Sequence, residues 1–263
     1  MNDMLSDLRT DLRDAMRAFR RRPGFALLAV LTLVVGMSVN TVAFSVVNGL
    51  LFKRPAFAEP GRLGWIFRVT RGDPLGEVSV PQYEGVRAQA RTLDAVSAEG
   101  RLPLRWRDGA RTQQIWALLV TANYFETLGV RPEIGRVFGE GDRDHDVAIV
   151  SHAFWTSRLG SAPVGHATIT VNERTHVVVG VLPAAFQGPG GLYSPDVWVP
   201  LERRVALGLP SELSAADRGW LTLLGRMRPG VTPTQAAAEL AALFGQIGRI
   251  FRCRVSEFLA LSA

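Results

Sequence analysis

The stretch that decides the architecture is "RRRPGFALLAVLTLVVGMSVN", Arg20 to Asn40. Three arginines and a Pro-Gly pair precede an apolar run, and from Pro23 to Phe52 there is no Asp, Glu, Lys or Arg. A helix over those 30 residues would be about 45 Å long, against a bilayer hydrocarbon core of about 30 Å. The run is therefore long enough to cross a membrane with tilt. The apolar part of a cleavable signal is only about 7–15 residues. Thr41-Val42-Ala43 has the small residues of a cleavage site, but the apolar character continues through Phe44, Val46, Val47, Leu50, Leu51 and Phe52. The length favours a retained transmembrane helix over 23–52.

Orientation follows from the flanks. Arg9, Arg13, Arg17, Arg20, Arg21 and Arg22 lie on the short N-terminal side, whereas Lys53, Arg54 and Arg62 belong to a long following domain where charge bias counts less. The N-terminus is expected in the cytoplasm and the main domain outside it. Leu5, Leu8, Leu12, Met16 and Phe19 recur at helical spacing, so 1–22 reads as an amphipathic helix. Two roles fit it: an anchor on anionic headgroups, or a docking helix for a cytoplasmic partner. Inside the span Ser38, Thr41, Ser45 and Asn48 share one stripe. Lipid offers polar atoms no partner, so such a stripe is a candidate helix-packing face.

The remaining chain is long enough for one large domain or two small ones. Its net charge of +6 is spread over scattered arginines interleaved with acids, without a nucleic-acid-binding motif. Cys253 is the single cysteine, which excludes an internal disulfide and a thiolate metal site. Local patterns give strands at 63–69, 93–100, 101–107, 112–120, 146–150, 167–171, 176–181, 197–201 and 220–227. Helices are expected near 82–91, 122–128, 152–160 and 233–247. Leu63, Trp65, Phe67 and Val69 alternate as in a half-buried strand, Asp108-Gly109 marks a hairpin, and Asn172-Glu173-Arg174 marks another. Hairpins mixed with helices indicate an α+β domain.

Signs of catalysis are scarce. His145, His152, His166 and His176 show no metal spacing. "GDRDHDVA" places Asp142, Asp144 and Asp146 at alternate positions, but Val147 and Ala153 stand where a calcium loop needs Gly and Glu. It reads as a solvated turn before a strand. "QGPGG" at 187–191 is not followed by the Lys-Ser/Thr helix of a phosphate loop and reads as a mobile loop tip. Asp94 and Glu99 could pair in space, with nothing local to single them out. No catalytic, cofactor-binding or metal-binding residue is assigned.

Several blocks then resemble one family. "LRDAMRAFRRRPGFALLAVLTLVVGMSVNTVAFSVVNGLLFKRP", "VTANYFETLGVRPEIGRVF", "VAIVSHAFWTSRLG", "ITVNERTHVVVGVLPAAF", "DVWVPL" and "LTLLGRMRPGVTPTQAAAEL" together resemble MacB-like (FtsX-type) ABC transporter permeases of the duplicated, ADOP-type branch. The resemblance implies a first transmembrane helix and then a periplasmic core over 53–250, a mixed α/β porter-like part with a β-rich part inserted around 131–213. It implies a permease, not an enzyme, in the cell inner membrane. ATP would be bound by a separate cytoplasmic ABC ATPase, whose motion the permease transmits outward. Efflux of peptides, lipopeptides or macrolides, or movement of lipoproteins, is the family's business. Other permease copies and an outer-membrane partner are further expected partners, and nucleic acid is not. With an ATPase on the cytoplasmic side, Leu5, Leu8, Leu12 and Met16 become docking candidates. Family permeases return to the membrane after this domain, whereas here the text drifts into an atypical tail at 251–263. The expectation is a truncated or frameshifted permease fragment. The rival readings are a stand-alone membrane-anchored binding or sensor module, and an exported enzyme with a cleaved signal.

Overall fold

The computed structural model describes residues 57–70, 73–186, 188–189, 195–216, 218–247 and the backbone of 252–257, with helical positions at 24, 28, 31–34 and 36–38. The chain divides into two compact units, Met1–Lys53 and Arg54–Leu261. In the first, Leu28, Leu31, Leu33, Val34 and Met37 are helical and each more than half exposed. Among the described residues no helix is long and apolar enough to cross a membrane. Ser38 is helical, while Thr41, Ser45, Asn48 and the N-terminal Leu5, Leu8, Leu12 and Met16 lie outside the described residues.

Among the described residues the second unit has eleven strands and four α-helices. The strands are β1 (Leu63–Thr70), β2 (Asp73–Gly76), β3 (Leu93–Asp108), β4 (Arg111–Val120), β5 (Ile134–Gly135), β6 (Val147–Val150), β7 (Thr168–Val171), β8 (Arg174–Val181), β9 (Val197–Pro200), β10 (Thr222–Met227) and β11 (Arg252–Glu257). The helices are α1 (Val80–Gln89), α2 (Tyr124–Leu128), α3 (His152–Arg158) and α4 (Pro233–Ile247). The expected α+β mixture is what forms. The tail contributes β11, which pairs antiparallel with β1 at the sheet edge.

Two parts share strand β3. Its first half pairs with β10, which pairs with β1. Alternation sends Leu223 to one face of this sheet and Leu224 to the other. On the first face lie α1, through Tyr83 and Val86, and α4, through Ala236, Leu240 and Phe244. That i, i+4, i+8 spacing is the buried stripe of an amphipathic helix. The second face is covered by α2 with Tyr124, Phe125 and Leu128. Ile66 is 1% exposed, so β1 is buried on both faces and not on one as its alternating large residues suggested.

The second half of β3 enters a closed ring. It pairs with β4, β4 with β9, β9 with β6, β6 with β8, β8 with β7, and β7 returns to β3. Alternate residues such as Trp106, Ile115, Ala148, Ile169, Val178 and Val199 are buried together, so this six-stranded barrel has a packed interior. Closure removes the exposed edges that short strands would otherwise leave. Residues 131–213 supply β5 to β9, and the wall is completed by β3 and β4 from outside that range.

The strands expected separately at 93–100 and 101–107 are one strand, which neither Gly100 nor Pro103 interrupts. Arg105 turns its N–H away from β4, toward Asn172 Oδ1 at 2.9 Å. Pro103 has the same parity, and its missing N–H falls beyond the reach of β7, whose pairing with β3 covers only Trp106 and Arg107. At Gly100 a Cβ would overlap the Trp220 ring, so glycine here permits close packing and does not mark a turn. Asn172 and Glu173 both have positive φ (45° and 67°), giving β7–β8 a tight two-residue connection.

Candidate coupling junction

The first described residues of the second unit, Phe57 to Arg62, are held by hydrogen bonds to several elements at once. Ala58 N–H donates to Leu128 O at the end of α2 (3.3 Å). Arg226 on β10 donates from Nη2 to Ala58 O (2.9 Å) and from Nε to Thr127 O (2.9 Å). Arg62 donates from Nε to Met227 O (2.9 Å) and pairs with Glu59 and Asp94. Asp94 also faces Arg228 at 3.8 Å, and Glu59 faces Arg226 at 3.7 Å. Phe57 meets Phe186 edge-on, with ring centroids 6.1 Å apart. Burial, then the neighbouring Arg62 charge, lowers the Arg226 pKa, and an arginine so placed still stays charged.

Glycine makes this contact possible. Gly129 ends α2 with φ +67°, as the sequence predicted, and a Cβ there would collide with the Cβ of Ala58. The helix end and the entry segment therefore meet backbone to backbone. Arg226 is invisible as a site residue in the sequence, because its role lies in two carbonyls about a hundred residues or more away.

Close to α2 a carboxyl group is buried. Glu99 on β3 is 6% exposed and accepts a hydrogen bond from the Tyr124 hydroxyl. Burial raises its pKa to about 7, opposed by the Tyr124 hydrogen bond and the Arg101 charge. Burial also raises the Tyr124 pKa, so the phenol remains the donor. Glu99 and Asp94 do not come together. Asp94 belongs to the Arg62 cluster, while Glu99 faces Tyr124.

The "GDRDHDVA" run is not the solvated turn expected of it. Asp142 is 7% exposed, receives two hydrogen bonds from Arg136 and one from Gly139 N–H, and has its pKa lowered chiefly by the Arg136 bond. Asp146 pairs with Arg203 (2.7 Å) and Arg174 (3.4 Å) and lies 4.0 Å from the buried His176. Only Asp144 of the three is exposed. The short sequence spacing hid the distant arginines that neutralise the other two. Asp146 also lines an open cleft of about 630 Å³ with Arg105, Asn172, Arg174, Thr175 and Leu207. Among the other histidines, His152 meets Glu133 at 2.9 Å on the surface, and His145 contacts Gly141 O. Among the described residues no three His, Cys, Asp or Glu side chains gather as a metal ion would require. Of the "QGPGG" loop only Gly188 and Pro189 lie within the described residues.

Two solved structures are similar in fold. The periplasmic region of MacB from Actinobacillus actinomycetemcomitans matches with a TM-score of 0.59 at 14% identity, covering 75% of this chain and 89% of that one. The extracellular domain of the noncanonic ABC-type transporter YknZ from Gram-positive bacteria matches with a TM-score of 0.57 at 14% identity, covering 74% and 99%. No curated protein sequence matches the chain. The model of the MacB-like periplasmic core domain matches residues 26–243, nearly the whole of the described fold. With that match, the mixed sheet and the closed barrel take their place: the chain belongs to the MacB-like periplasmic core domain family.

Proposed function

We propose that this chain is a permease subunit of an ABC-type export system, with its core domain outside the cytoplasmic membrane and no catalytic role of its own. In this reading 23–52 is the first transmembrane helix, 1–22 lies on the cytoplasmic side against a separate ATPase, and the domain at 53–250 receives its motion. The exposure of Leu28, Leu31, Leu33, Val34 and Met37, all at helical positions, supports a lipid or helix neighbour for them. Ser38, Thr41, Ser45 and Asn48 would face other membrane helices, of further permease copies or of the same assembly. An outer-membrane partner would complete an export path. The β-rich part assigned to 131–213 would ride on the porter-like sheet through β3 and β4.

The observation that carries the reading is the Phe57–Arg62 segment, tied to α2, β10 and β3 by Arg226 and Arg62. A displacement of the chain ahead of residue 57 would reach three elements of the domain through short, charge-assisted bonds. Purification of the full chain from membranes is expected to bring with it an ATPase bearing ABC signature sequences, and removal of residues 1–22 is expected to lose it. Retention of the ATPase after that deletion would contradict docking through Leu5, Leu8, Leu12 and Met16. The 630 Å³ cleft favours one alternative, a stand-alone anchored binding or sensor module. Purification of the intact chain without any ATPase is the outcome that supports it.

A further inference from the structure

We propose that the end of the barrel between the β3–β4 hairpin and α3 holds a binding site for a single free, neutral α-amino acid. This goes beyond the permease reading and does not depend on it. At that end β6 stops and β9 starts, with Val150 paired to Val197, and α3 follows β6 directly. A cavity of about 230 Å³ opens there. Its apolar lining is Trp106, Ile115 and Phe154, all buried, with the Trp106 and Phe154 rings edge-on at 4.9 Å. Its polar lining is Gln113 and Gln114 of β4, Ser157 and Arg158 of α3, and Asp196 just ahead of β9. Drug-sized sites run to about 300–1,000 Å³, so the guest here is a compact molecule.

Two opposite charges line this one cavity. The Arg158 guanidinium lies over the Trp106 ring, 5.8 Å from its centroid. That contact fixes its place but gives its N–H groups no acceptor, because an indole only donates. Asp196 is half-buried, and burial raises its pKa, opposed by the Arg158 charge and the Trp116 backbone N–H. Among the described residues Arg158 and Asp196 feel each other's charge without forming an ion pair. The gap suits a guest that carries both charges, its carboxylate on Arg158 and its ammonium on Asp196. Ser157 Oγ already donates to Ala153 O, so its lone pairs remain to accept from that ammonium. A simple anion would face Asp196, and a simple cation would face Arg158. A neutral sugar would need the Trp106 face, which Arg158 covers. The larger cleft beside β7 and β8 differs, because its polar groups satisfy one another. There Asp146 pairs with Arg203 and Arg174, and Asn172 holds Arg105 N–H and Leu207 O.

The test titrates the full chain in nonionic detergent micelles with L-leucine and, separately, with L-glutamine, read by calorimetry. At least one of them should bind. Arg158→Gln and Asp196→Asn should each weaken that binding by about tenfold, the worth of one hydrogen bond to a charged group. Arg111→Gln, which removes the same charge from the exposed turn of the hairpin, should change it by less than about twofold. Two analogues separate contact with the ligand from damage to the fold. The amide of the amino acid lacks the carboxylate, and the corresponding deamino acid lacks the ammonium. The native chain should bind each about tenfold more weakly than the amino acid. Arg158→Gln should not weaken the amide further, and Asp196→Asn should not weaken the deamino acid further. Binding of neither amino acid would overturn the proposal. So would equal losses for the amino acid and its amide in Arg158→Gln, or binding of glucose in place of both amino acids.

Discussion

Between pH 4.5 and 7 the domain is expected to lose about 3 kcal/mol of stability through Glu99 alone. The folded-state pKa is raised to about 7 from 4.5 because the group is buried. Below pH 4.5 the carboxyl is protonated in both folded and unfolded chains and contributes no slope. Between the two values the unfolded chain has released its proton and the folded chain has kept it, so rising pH favours unfolding. Above 7 both are ionised, and the full cost of a buried charge remains. Glu99→Gln keeps an acceptor for the Tyr124 hydroxyl and removes the ionisation. Urea unfolding followed by tryptophan fluorescence should show the variant gaining on the native chain across this window and holding its advantage at pH 8. His176 is shifted the opposite way, downward by burial, so its contribution is lost as pH falls below 6.5. The difference between native and variant curves isolates Glu99 from it. Parallel curves would show that Glu99 does not titrate there.

Gly129→Ala is expected to destabilise the domain by about 3 kcal/mol, combining the cost of a positive φ for an L-residue (~1–2 kcal/mol) with overpacking (~1–3 kcal/mol). The overpacking comes chiefly from the Cβ of Ala58, with the Ala58 N and Cα also close at 3.2 and 3.3 Å. Adding Ala58→Gly should restore most of the steric share and leave the backbone share. The same pair speaks to coupling. If the entry segment carries motion to α2, Gly129→Ala should reduce transport by the assembled system more than it reduces the amount of folded protein. A neutral Gly129→Ala, or a double variant no better than the single one, would mean that residues 57–62 are not held against α2.

Much of the fold was readable because it rests on local chemistry. Ser151 caps α3 by accepting from Phe154 N–H, Thr232 and Gln235 open α4 with reciprocal bonds, and Gly129 closes α2. Each is a short-range signal with its residue in view. What was not readable is long-range. The barrel exists only through the β7–β3 and β6–β9 pairings, which no spacing announces. The boundary expected after Gly100 vanished because Trp220 packs against that glycine and β3 runs on through Pro103 to Asp108. The site was legible only in outline, since an extracytoplasmic permease domain was expected from the family blocks. Arg226, Glu99 and Asp142 act through partners that only the fold supplies. An arginine and a glutamate with no local pattern look the same whether solvated or buried.

The location of the domain tests the functional account most directly. In a Cys253→Ser background, single cysteines placed at Ser6 and at Gln114 can be exposed to a membrane-impermeant maleimide on intact spheroplasts. The account predicts that the cysteine at 114 is labelled from outside, and that the one at 6 is labelled only after the membrane is opened. Labelling of position 6 on intact spheroplasts, or protection of position 114 until lysis, would contradict it.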